Sequence, residues 1–87
     1  MLFKDNFVMD NVIERPRIQV EMAFVATCIE ATARLLNTSY NEVYQRMKRI
    51  GLIDKYICPN YEALHSESRD NLAKDLIDCM EEWEKRI

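Results

Sequence analysis

From Arg17 to Leu36 the apolar side chains recur in alternating steps of four and three: Ile18, Met22, Val25, Ile29, Thr32 and Leu36. Beside them Phe24, Cys28, Ala31 and Leu35 form a second stripe. A period near 3.6 residues is that of an α-helix, so both stripes lie on one wide arc of a single long helix. Arg17 with Glu21 and Glu30 with Arg34 stand at the i, i+4 spacing that laces the solvated face of such a helix. Two apolar stripes on one helix demand two covering neighbours. In an 87-residue chain the second cover is expected to come partly from another molecule, which makes a protein partner or a second copy an expectation of the sequence.

Helix breakers are few and well placed. Pro16 biases Arg15 away from helical angles and suits the first turn of the helix that follows. Ser39 and Glu42 make a capping box for a second helix, whose buried face is Tyr40, Val43, Tyr44, Met47 and Ile50. Gly51, the only glycine, ends it in the left-handed region, with Arg46, Lys48 and Arg49 near the negative end of the dipole and Leu52 folding back onto Met47. Leu52, Ile53, Tyr56 and Ile57 suit a short turn stopped at Cys58 by Pro59, and Tyr61, Leu64 and His65 suit another. Ser66 or Ser68 caps a last helix running to about Lys85, with Leu72, Ala73, Leu76, Ile77, Met80, Trp83 and Ile87 inward and Glu81–Lys85 and Glu82–Arg86 pairs outward.

The expected fold is all-α: a small bundle of three main helices plus one or two short helical turns over residues 16–87, preceded by an arm of residues 1–15. Leu2, Phe3, Phe7, Val8, Met9, Val12 and Ile13 leave the arm's conformation open. Spacing at 3, 7, 8 and 12 suits a short helix, and the β-branched and aromatic content also suits a strand.

A net charge of −3 disfavours phosphate backbones and anionic lipid unless the charges segregate. They do so mildly: residues 40–56 sum to +2 and residues 67–87 to −3. Cys28, Cys58 and Cys79 are odd in number and far apart, unlike a disulfide framework or a zinc site. With no apolar run of membrane-spanning or signal-peptide length, the expected location is cytoplasmic, without membrane contact. No cofactor is implied.

The single histidine raises the question of chemistry. His65 and Glu62 form the remote enzyme reading, but no serine or cysteine is spaced as a nucleophile for His65, and no glycine-rich loop is present to hold phosphate. The expectation is a non-enzyme with no catalytic residue, in which His65 caps its turn or bonds a carbonyl. Glu62 to His65 also matches the Glu-x-x-His pattern of paired-iron bundles, which needs two copies and more carboxylates; this chain has one, so no metal site is expected. The alternative function is a small helix-turn-helix-like DNA-binding regulator using Asn41, Gln45, Arg46, Lys48 and Arg49. Its basic residues sit at the C-terminal end of the helix, whereas a recognition helix reads bases from its N-terminal part.

"FVATCIE", "NEVYQRMKRIGLIDKYICPNYEALHSES" and the closing amphipathic helix together resemble a bacterial family classed as a domain of unknown function, number three thousand seven hundred and ninety-one. The resemblance runs from about Phe24 to Met80. Its most specific positions are Glu42, Val43, Tyr44, Gly51, Leu52, Ile53, Tyr56, Ile57, Pro59, Tyr61, Glu62, Leu64 and His65. It implies a short helical protein, often encoded beside ADP-ribosyltransferase-like proteins, hence an antitoxin or accessory role, and it supplies no catalytic residue. Members typically begin near Arg17 or later, so the arm is an addition. Tyr56, Tyr61, Glu62 and His65 are the expected partner-binding residues, with packing between helices the competing reading.

Overall fold

The computed structural model describes residues 17–86, with side chains from residue 19 onward. The arm, the Arg17 and Ile18 side chains and Ile87 lie outside the described residues. The elements are α1 (Arg17–Leu36), α2 (Tyr40–Ile50), a π-helical turn (Ile53–Ile57), α3 (Tyr61–Leu64) and α4 (Arg69–Glu84). The described chain is all-α. The three long helices pack pairwise, with α1 laid most extensively against α4 and then against α2.

Local chemistry explains each boundary. Helix α1 stops because Asn37 turns left-handed at φ 57°. The Thr38 N–H then donates to the Ala33 carbonyl at 2.9 Å and the Asn37 N–H to that of Arg34 at 3.2 Å, satisfying two orphan acceptors of the last turn. Ser39 accepts from the Glu42 N–H at 3.1 Å, as half of the expected capping box. The Glu42 carboxylate departs from the expectation: it accepts the Thr38 hydroxyl at 3.2 Å, one residue farther back than the cap. Gly51 closes α2 at φ 72°, its N–H directed at the carbonyls of Met47 and Lys48. Ser68 starts α4 by accepting from the Asn71 N–H.

Ahead of Pro59 the chain widens into the π turn, closed by the Cys58 N–H donating to the Ile53 carbonyl at 3.0 Å. An i→i−5 bond brings residues five apart over one another, so Leu52 and Ile57 both point inward. Each is fully buried.

Val25, Cys28, Ile29 and Ala33 of α1 form one core with Val43, Met47 and Ile50 of α2, Leu52, Ile57, Leu64, and Leu72, Leu76 and Met80 of α4. Phe24, Tyr44, Tyr56 and Trp83 pack half-buried around it. Three expected core residues are instead exposed: Met22 at 55%, Leu35 at 50% and Tyr40 at 46%. Met22 stands at the outer margin of the first α1 stripe, Leu35 lies in the last turn of α1, and Tyr40 is the first residue of α2. His65 is exposed and Cys79 is half-buried. Most of the oily area of α1 and α4 is thus hidden within the chain, Val25 and Leu76 included, and part of it is not.

Thr32 is the one polar side chain among the described residues that is fully buried, and its hydroxyl has no hydrogen-bond partner there. An unsatisfied buried hydroxyl carries a desolvation cost with no return, so Thr32→Val is expected to raise unfolding stability by about 1 kcal/mol, read from urea denaturation. A less stable variant would show that the hydroxyl is bonded after all.

Candidate functional site

Helix α3 is only one turn long, and neighbouring groups hold it rigidly. The Asn60 side-chain amide donates to the Tyr56 carbonyl at 2.7 Å, and the Ser66 hydroxyl to that of Ala63 at 3.0 Å. Leu64 is buried and pins the turn to the core. On the outer side, the Tyr61 and His65 rings stack with centroids 4.6 Å apart and planes 7° from parallel. Phe24, reaching over from α1, meets Tyr61 edge-on at 5.3 Å and 85°. Such offset and T-shaped arrangements are the favoured ones for ring quadrupoles, so the three rings form a stiff unit spanning two helices.

His65 is the polar tip of that unit. Its Nδ1 lies 2.8 Å from the Tyr61 carbonyl, which also accepts the His65 backbone N–H at 2.9 Å. Because a carbonyl can only accept, Nδ1 carries a proton, which in the neutral ring leaves Nε2 as the acceptor. The carbonyl bond read from the sequence is therefore present. Glu62 is exposed beside it. Of the four expected partner-binding residues, Tyr61, Glu62 and His65 come together on α3. Tyr56 turns to α4 instead, where its ring packs edge-on against Trp83 at 6.1 Å.

The thiols of Cys28, Cys58 and Cys79 are all raised above their ordinary value. Burial pushes Cys28 up to about 12, with Cys58 adding to the shift. Cys58 is raised first by burial and then by Glu21 and Asp54, and Cys79 is raised by burial. A raised thiol stays protonated near neutrality, and it is the thiolate that reacts. Among the described residues no three His, Cys, Asp or Glu side chains are grouped to hold a metal ion. No described helix is long and apolar enough to cross a membrane.

The basic end of α2 is partly committed within the fold. Arg46 donates from Nε and Nη2 to the two carboxylate oxygens of Glu84 at 2.9 and 2.8 Å, tying α2 to the end of α4. Lys48 places its ammonium 5.8 Å from the Tyr44 ring centroid. Asn41, Gln45 and Arg49 are exposed. Sequence reasoning missed the Arg46–Glu84 link because no local pattern announces a pairing 38 residues apart. It also missed Asn37, whose tolerance of left-handed angles was an available signal.

Neither a curated protein nor a solved structure matches the chain. The profile of one family, described as "Protein of unknown function (DUF3791)", matches residues 23–83, a span that holds α2, α3, Phe24 and Trp83 and excludes the arm. The resemblance seen in the residues of α2 and α3 is thereby secured, and the chain is a member of the DUF3791 family.

Proposed function

We propose that this protein is a non-enzymatic interaction module that recognises a protein partner through the α3 surface, with Tyr61, Glu62 and His65 at its centre and Tyr56 at its edge. The observation that carries this is the fixed His65: stacked, hydrogen-bonded through Nδ1, and exposed. A polar group whose orientation is settled before binding loses little entropy on docking, and a tyrosine beside it supplies contact area at low rotamer cost. The partner we favour is the product of an adjacent ADP-ribosyltransferase-like gene, with this chain as its cytoplasmic antitoxin or accessory subunit. Support for that choice is the gene neighbourhood typical of the family it resembles. A second copy of the chain is the other occupant considered.

Co-expression of the full chain with that neighbour, followed by size exclusion with light scattering, tests the reading. A stoichiometric complex is expected, weakened at least tenfold by His65→Ala or Glu62→Lys, with a change in unfolding stability of no more than about 1 kcal/mol because both side chains are exposed. A chain that stays monomeric at high concentration and ignores the neighbour removes the proposal.

A further inference from the structure

The ends of α2 and α4 come together, and a cleft of about 210 Å³ opens there, lined by Ile50, Lys55, Trp83 and Arg86. Trp83 is half-buried, its ring steadied by the edge-on contact with Tyr56. The Arg86 N–H donates to the Trp83 carbonyl at 3.1 Å, a three-residue repeat that sets one side chain above the other. On the α2 side the Lys55 stem lies over Gly51, where a Cβ would stand 3.5 Å from its Cδ and Cε. An indole and two cations therefore line one small space. Neither cation is strongly committed elsewhere. Arg86 meets Glu82 at 3.7 Å with both side chains more than half exposed, a pair worth little, and Lys55 has no ion-pair partner among the described residues. The helix ends do not consume them either: the carbonyls of Met47 and Lys48 face the Gly51 N–H, that of Gly51 accepts the Lys55 N–H and that of Glu81 the Lys85 N–H.

We propose that this cleft binds a small planar aromatic anion, its ring stacked on Trp83 and its acid group held by Lys55 and Arg86. Size limits the ligand. Pockets for drug-sized molecules run from about 300 Å³ upward, so this space takes one ring system and its acid group. Charge limits it as well. Exposed Glu81 and Glu82 stand in the same last turn of α4, within a segment that sums to −3, so a polyanionic strand laid across the cleft would meet carboxylates. A nucleoside monophosphate and an aryl carboxylate share the required chemistry: a π-face for the indole and anionic oxygens for the two cations. None of the lining residues belongs to the Tyr61, Glu62 and His65 surface, so the cleft stands or falls separately from partner recognition at α3.

Trp83 is the only tryptophan, so its fluorescence reports on this cleft alone. The full chain is titrated with adenosine monophosphate and with phenylpropionate, and with adenosine and phenylpropanol as their uncharged counterparts. A saturable change in emission with half-saturation below about 1 mM is expected for at least one of the two anions. Which one responds identifies the acid group as phosphate or carboxylate. Its uncharged counterpart is expected to bind at least tenfold more weakly. Lys55→Ala and Arg86→Ala, both at exposed positions, are each expected to weaken binding at least threefold with helical content by circular dichroism unchanged. No saturable response to either anion, equal binding of the uncharged counterpart, or binding that both variants retain in full overturns the proposal. Tighter binding of a single-stranded oligonucleotide than of the mononucleotide assigns the surface to nucleic acid and overturns it as well.

Discussion

Leu76→Ala is expected to lower unfolding stability by about 3 kcal/mol, out of a total on the order of 5 kcal/mol for a domain this small. Leu76 is fully buried at the middle of α4, in the cluster where α1, α2 and α4 meet. Truncation removes its transfer free energy and leaves a cavity, because rigid helix backbones on the other sides cannot close over it. Urea denaturation measures the loss as a fall in midpoint at unchanged slope. The matched control is Leu35→Ala on α1, half exposed and expected to cost under about 1 kcal/mol. Equal losses at the two positions would mean that Leu35 is covered as deeply as Leu76.

Arg46→Ala carries the second largest expected effect, about 1–2 kcal/mol. The Arg46–Glu84 pair is bidentate, and each side chain is only about a quarter exposed, at 27% and 24%. It therefore exceeds an ordinary surface ion pair such as Glu30–Arg34, where both partners are more than half exposed. Removing the guanidinium leaves a partly dehydrated carboxylate without its donor. The Arg46 hydrogen bond holds the Glu84 carboxyl below the usual glutamate range, against the upward push of burial. A depressed folded-state value means that the contribution is complete above the unfolded glutamate value of about 4.3 and disappears as pH falls through the lowered folded value. The stability gap between wild type and Glu84→Gln should accordingly be flat near neutrality and close below about pH 4. A double-mutant cycle on the two residues reads the coupling directly. Coupling near zero at pH 7 would reduce the pair to a solvated contact and return Arg46 to the exposed basic group at the end of α2.

Helix ends were readable wherever the deciding chemistry lies within one turn. Ser39 and Gly51 act on backbone groups three or four residues away, so their types alone place the ends of α2, whereas the start of α4 was open between Ser66 and Ser68, and the turn before Pro59 is π-helical with Cys58 still at right-handed helical angles. The candidate site was readable only in part. His65 bonding a carbonyl is a local event, four residues back along its own turn. That Phe24 braces Tyr61 from another helix, while Tyr56 leaves for Trp83, depends on how α1, α3 and α4 are set against each other.

Local propensity and apolar period thus settled which segments are helical and roughly which arc of each faces inward. Tertiary packing decided how much of that arc is covered: Ala33 and Thr32 lie inside, and Met22, Leu35 and Tyr40 lie at the edge. The reason is geometric. Periodicity measures the angle at which a side chain leaves its helix, whereas burial depends on whether a neighbouring helix is long enough and close enough to meet it, and no stretch of sequence holds that distance alone.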